Sequence, residues 1–144
     1  MTLDKKARSF YSRPRMEIDH LTIPVSDYET SKAFYERVLA PLGLVLLLDW
    51  PDQRRAYFGI KGEPSSLWVV ESSGAGALDV TLAAEDRHEV DWFHSSALAA
   101  SAESVQEPGC RGEYNRDYYA SRILDPDGNA IEVVHRVTSD RLAA

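Results

Sequence analysis

Hydrophobic and polar positions alternate with period two over residues 18–25, with Ile18, His20, Thr22 and Pro24 on one side and Asp19, Leu21, Ile23 and Val25 on the other. That period in a β-branched, aliphatic segment predicts a strand. The period then changes. Ala33, Phe34, Val38 and Leu39 recur at helical spacing and give the next segment one apolar face. Ser26 and Asp27 offer an N-cap, Glu29 completes a capping box with Ser26, and Pro41 and Gly43 end the helix. Strand-like segments follow at 45–50, 56–60 and 67–71, broken by Pro51-Asp52 and by residues 61–64.

The same pattern occurs again. Sliding the chain so that Ile18 falls on Ala77 places Thr22 on Thr81, Asp27 on Asp86, Phe34 on Phe93 and Leu39 on Leu98. Both copies read as a strand followed by a helix; in the second, Asp86 and Glu89 cap a helix whose apolar face is Val90, Phe93, Ala97 and Leu98. Strands follow at 102–105, 118–124 and 130–135. The last two are joined by Asp125-Pro126-Asp127-Gly128-Asn129, where Pro presets φ, Gly admits a positive φ and the Asp and Asn side chains bond local backbone. The chain thus divides into a tail over 1–15, a βαβββ module over 16–72, a Ser/Gly linker and a second βαβββ module over 77–137. The fold class is α+β. Pairing the two modules into a cupped mixed sheet hides one face of each sheet and leaves a concave space for a ligand.

Composition narrows the function. The chain has 144 residues, 44% hydrophobic and 27% charged, an ordinary globular balance. A net charge of −7 repels phosphate backbones, which argues against nucleic acid as a partner. The longest aliphatic run, residues 44–48, falls far short of the ~20 residues of a membrane helix. Residues 1–15 carry Lys and Arg without an apolar core, so they do not read as a secretory signal, and Cys110 is the sole cysteine. The expected setting is the cytoplasm, and the expected partner a small molecule.

The candidate chemistry comes from the repeat. His20 superposes on Asp79. A second alignment, Leu67 on Ile131, superposes Trp68 on Glu132. Asp79 and Glu132 lie within apolar strands, where a carboxylate is costly unless paired or bound to a metal. Pseudo-twofold symmetry would gather His20, Trp68, Asp79 and Glu132 on one inner wall, and three of these can ligate a divalent cation. Segment 109–119 adds Tyr114, Tyr118 and Tyr119 as possible phenol donors. Arg111, Arg116 and Arg122 are possible carboxylate clamps. Of the tyrosines, Tyr119, at the start of a strand, is the one expected to face the cavity. Cys110 reads as an inert loop thiol. His88, His94 and His135 read as lying on a helix surface or near the C-terminus, away from any ligand set.

The run Ile18-Asp19-His20-Leu21, the capped helix with Phe34-Tyr35, and Leu124-Asp125-Pro126-Asp127-Gly128-Asn129-Ala130-Ile131-Glu132 resemble the vicinal-oxygen-chelate superfamily, over about residues 16–137. This group includes glyoxalase I, extradiol dioxygenases and bleomycin-resistance proteins. The resemblance implies a metal site of His20, Glu132 and Asp79, holding Fe, Mn, Zn or another divalent ion. It departs from the four-ligand glyoxalase pattern at Trp68, which cannot ligate. The enzyme so implied is a metal-dependent lyase or dioxygenase acting on adjacent oxygens, with Asp79 a candidate base and Trp68, Tyr114, Tyr119 and Arg122 against the substrate. The alternative is a metal-free binder of a drug or aromatic ligand, of the bleomycin-resistance type. A homodimer is likewise implied by resemblance.

Overall fold

Leu21, Ile23 and Val25 need burial on one side while His20 and Thr22 do not, and this segment forms strand β1, His20–Val25. The computed structural model describes residues 18–64, 66–111 and 117–136. After β1 come α1 (Tyr28–Val38), β2 (Val45–Trp50), β3 (Arg55–Gly59) and β4 (Ser66–Glu71). The second half repeats the order with β5 (Asp79–Ala83), α2 (Arg87–Ala99), β6 (Glu103–Cys110), β7 (Tyr118–Leu124) and β8 (Ala130–Arg136). The strands form two four-stranded mixed sheets, ordered β1-β4-β3-β2 and β5-β8-β7-β6. In each, the first strand runs parallel to the last, and the other pairings are antiparallel. The proposed tail, 1–15, lies outside the described residues.

The register reproduces the repeat. Thr22 faces Trp68 in the first sheet as Thr81 faces Glu132 in the second, and His20 faces Ser66 as Asp79 faces Ala130. One apolar cluster joins both halves: Ile23, Val25, Phe58, Leu67 and Val69 from the first sheet, Ile123, Ile131 and Val133 from the second, and Phe34, Tyr35, Val38, Val90, Phe93 and Ala97 from the helices. Each helix packs on its own sheet and the two helices pack on each other. The core therefore lies on the helix-bearing side of both sheets, and the alternate residues of every strand face away from it. Among the described residues no helix is long and apolar enough to cross a membrane.

Three local expectations change. Asp27, not Ser26, caps α1, accepting from Thr30 N at 2.9 Å, while Ser26 N donates to the Asp127 carboxylate at 3.1 Å. Asp27 stands at the half-in position, where its carboxylate reaches a free amide of the first turn, and the Ser26 amide is drawn to the other module. Strand β6 continues beyond Val105 to Cys110 with an irregular register, and its Pro108 is tolerated because β6 is an edge strand. His94 is buried at 7% exposure, its Nε2 within 2.8 Å of Ser104 Oγ, because it lies on the side of α2 that meets β6.

The turn before β8 locks the halves together. Asp125 Oδ1 accepts from the backbone amides of Asp127 (2.9 Å) and Asn129 (2.8 Å). Asn129 is fully buried; its Nδ2 donates to Pro24 O at 3.1 Å and its Oδ1 accepts from Gly76 N (3.1 Å) and Leu78 N (3.0 Å). Tyr35 donates its hydroxyl to Asp125 Oδ2 at 2.6 Å. Burial, reinforced by the Asp125 carboxylate, holds the Tyr35 phenol well above its ordinary 10, so it remains a donor.

Candidate ligand-binding faces

The outward side of the first sheet is aromatic. Trp68 on β4 lies beside Tyr57 on β3, ring centroids 4.7 Å apart, and reaches Trp50 on β2 at 5.4 Å. Leu47 is the extra residue where the β2/β3 register shifts, and the shift sets Leu48 opposite Tyr57 and Trp50 opposite Arg55. The Arg55 guanidinium lies over both indoles, 4.6 Å from the Trp50 ring and 5.1 Å from Trp68. His20 is exposed at the far edge of the sheet, with Nδ1 2.8 Å from Asp19 Oδ1.

The outward side of the second sheet is polar. Thr81, Glu132, Arg122 and Gln106 lie in one cross-strand row, and with Asp79, Tyr118 and Arg111 they line a cavity of about 480 Å³. Arg122 donates to Asp79 Oδ2 at 2.7 Å and lies 3.7 Å from Glu132 Oε2. Tyr118 donates its hydroxyl to Glu132, and Thr81 Oγ1 is 3.4 Å from the same carboxylate oxygen. The hydrogen bond to Asp79 raises the Arg122 pKa further. Burial first, then Glu132, raises that of the Tyr118 phenol. In register, Tyr57 stands to Trp68 as Arg122 stands to Glu132. An aromatic pair on one sheet thus replaces an ion pair on the other.

These placements bear directly on the residues singled out in the sequence. Asp79 and Glu132 are brought together on one face. His20 and Trp68 share the outward face of the other sheet. Arg122 holds the chain's own Asp79. Tyr119, expected to face the cavity, lies on the opposite side of β7: its hydroxyl donates to Asp91 at 2.5 Å on α2, under Arg87. Parity decides this, since Tyr118 and Arg122 are even-numbered neighbours on the outward side and Tyr119 is not. Tyr114 and Arg116 lie outside the described residues. Arg111 donates to the backbone carbonyls of Glu107 and Ala120, which braces β6 against β7. Cys110 is exposed. Trp50, Arg55 and Tyr57 were not singled out. The signal for them was the alternation in β3 and the Pro51 turn, which together place Trp50 and Arg55 opposite one another.

A divalent ion does not fit the donor set as one chain arranges it. Among the described residues no three His, Cys, Asp or Glu side chains converge as a metal site. The two carboxylates that do converge already share the Arg122 guanidinium, a fixed cation that takes the charge a metal would neutralise.

The Glyoxalase/Bleomycin resistance protein/Dioxygenase superfamily matches residues 17–133. A search of curated proteins returned no match. Among solved structures, a glyoxalase/bleomycin resistance protein from Albidiferax ferrireducens T118 is 24% identical with a TM-score of 0.69, covering 83% of this chain and 98% of that one. An antibiotic binding protein from Streptomyces sp. CB03234 is 25% identical with a TM-score of 0.63, covering 85% and 97%. A lactoylglutathione lyase from Agrobacterium tumefaciens, 21% identical with a TM-score of 0.63 over 85% and 96%, shares the fold. Two four-stranded βαβββ sheets and a family match spanning most of the sequence lead to one conclusion: this chain belongs to the Glyoxalase/Bleomycin resistance protein/Dioxygenase superfamily.

Proposed function

We propose that this protein is a small-molecule binder of the superfamily that seats a planar aromatic ligand, with the cavity completed in a homodimer. The observation that carries the reading is the Trp50–Tyr57–Trp68 layer on an outward sheet face. Aromatic surface left beside solvent is favoured when a flat ring covers it, and each well-placed stack contributes about 0.5–1.5 kcal/mol beyond its area. The similarity to an antibiotic binding protein supports a small-molecule ligand. A second copy supports closure of the site. The aromatic and polar faces turn away from the shared core, so the polar face of a partner is what can lie over the aromatic face. Ile18, Val45, Leu48, Trp50 and Ile60 are all exposed around the first sheet and would gain by being covered.

A second reading, a metal-dependent lyase or dioxygenase, draws on His20. A bond from Nδ1–H to Asp19 would leave the Nε2 lone pair for a cation, the arrangement typical of metal-bound imidazole. In a dimer His20 would approach the Asp79 and Glu132 of the other copy. The ion would supply Lewis acidity toward adjacent oxygens. Metal analysis of untagged protein separates the readings. The binder reading expects no stoichiometric Fe, Mn or Zn and no rise in melting temperature on adding Mn²⁺, Fe²⁺ or Zn²⁺. Stoichiometric metal that disappears in both folded His20→Ala and Glu132→Ala variants would overturn it.

A further inference from the structure

We infer that Arg55 is an anion-binding group built into the aromatic layer, so that the ligand is a planar ring bearing a carboxylate. The inference rests on the aromatic-ligand reading and assigns that ligand its charge. Three other cations of the chain hold acids: Arg54 holds Glu71 at 3.1 Å, Lys32 holds Asp49 at 3.0 Å, and Arg122 holds Asp79 at 2.7 Å. Arg55 differs. Its guanidinium lies over Trp50 and Trp68, it makes no side-chain hydrogen bond or ion pair among the described residues, and its Nε is buried without a partner.

Stacking leaves the edge of a guanidinium, not its face, for hydrogen bonding, and the edge presents parallel N–H donors matched to a carboxylate. An aromatic acid satisfies both features together: its ring extends the indole layer while its carboxylate meets the fork. Overall charge makes this selective. A chain of net charge −7 repels anions generally, so an anionic ligand is retained only where an unneutralised cation faces it. The guanidinium on the other sheet, Arg122, is not free to serve, because Asp79 and Glu132 share it.

The test compares three probes of one shape: naphthoate, naphthylmethanol and naphthylmethylammonium. Binding is followed by tryptophan fluorescence and calorimetry on the full chain. Naphthoate is expected to bind at least about tenfold more tightly than the neutral alcohol, the scale of a charge-assisted hydrogen bond. Arg55→Gln should abolish that preference, weakening naphthoate at least about tenfold more than it weakens the alcohol. Arg55→Lys, which keeps the charge, should retain part of the preference even where the glutamine variant disturbs the layer. Equal binding of acid and alcohol by the wild-type chain would overturn the Arg55 assignment and leave the aromatic reading standing. Equal weakening of both probes by Arg55→Gln, which leaves the preference in place without the guanidinium, would also overturn the assignment. No binding of any probe would overturn both.

Discussion

Tyr35 and Asp125 are distant in sequence, and the hydrogen bond between them is one of few polar contacts inside the shared core. Tyr35→Phe keeps the ring and leaves a buried carboxylate oxygen one donor short, so it is expected to cost about 1–3 kcal/mol in urea denaturation. The spacing of α1 marks Phe34 and Val38 as apolar, and both are buried; it does not show that the neighbouring Tyr35 hydroxyl meets an acid of the other module. Arg122 gives a second test at this scale. Removing its charge leaves Asp79 and Glu132 facing one another without a cation. Arg122→Met should therefore gain a rise in melting temperature with Mn²⁺ or Zn²⁺ that the wild-type chain lacks, measured by differential scanning fluorimetry. The sequence marked Asp79 and Glu132 as costly carboxylates in apolar strands. It left open whether a metal or a guanidinium offsets that cost, because the choice depends on cross-strand register.

The connection between the modules places a glycine where only a glycine fits. Gly76 has φ +95°, and a Cβ there would lie 2.7 Å from the Asp127 carbonyl oxygen. Gly76→Ala should lose at least about 2 kcal/mol, from a left-handed backbone plus a contact with main chain that cannot move aside. The cluster of Ser and Gly marked this segment as a linker, but not as one pressed against the turn before β8. Helix α2 carries one source of pH dependence, His94. Burial lowers the His94 pKa below its ordinary 6.5, against smaller opposing contributions from Glu107 and Asp91, so the folded state prefers neutral imidazole. The unfolded chain then binds the proton more readily. Stability from this group is complete above the unfolded pKa and is lost as pH falls through and below it. Urea midpoints between about pH 7 and pH 5 should fall less steeply for His94→Gln than for the wild-type chain.

At the scale of the molecule, the orientation of the two sheets decides what a site can contain. If the cavity forms from the aromatic face of one copy and the polar face of another, Trp68→Ala and Glu132→Ala chains should complement each other. Mixed after unfolding and refolding together, they would form heterodimers with one intact cavity, and naphthoate binding should partly return. A site contained within one chain would give no recovery. Sedimentation of the wild-type chain should likewise report a dimer.

The sequence by itself determined the local order of the fold: period-two and helical stretches, caps, turn residues and a repeat are written in neighbouring positions. They were enough for the two βαβββ modules, and the two alignments of the repeat match the equivalence of the Thr22–Trp68 pair to the Thr81–Glu132 pair, though not the pairing itself. The tertiary structure decided which faces meet. A strand pattern states that alternate residues lie on opposite sides, without saying which side the helices will cover or whether two sheets will turn their polar faces together or apart. Here the core takes the helix-bearing side of both sheets, so His20 and Trp68 lie on the outward face of one sheet and Asp79 and Glu132 on that of the other, where the Arg122 guanidinium joins the two carboxylates.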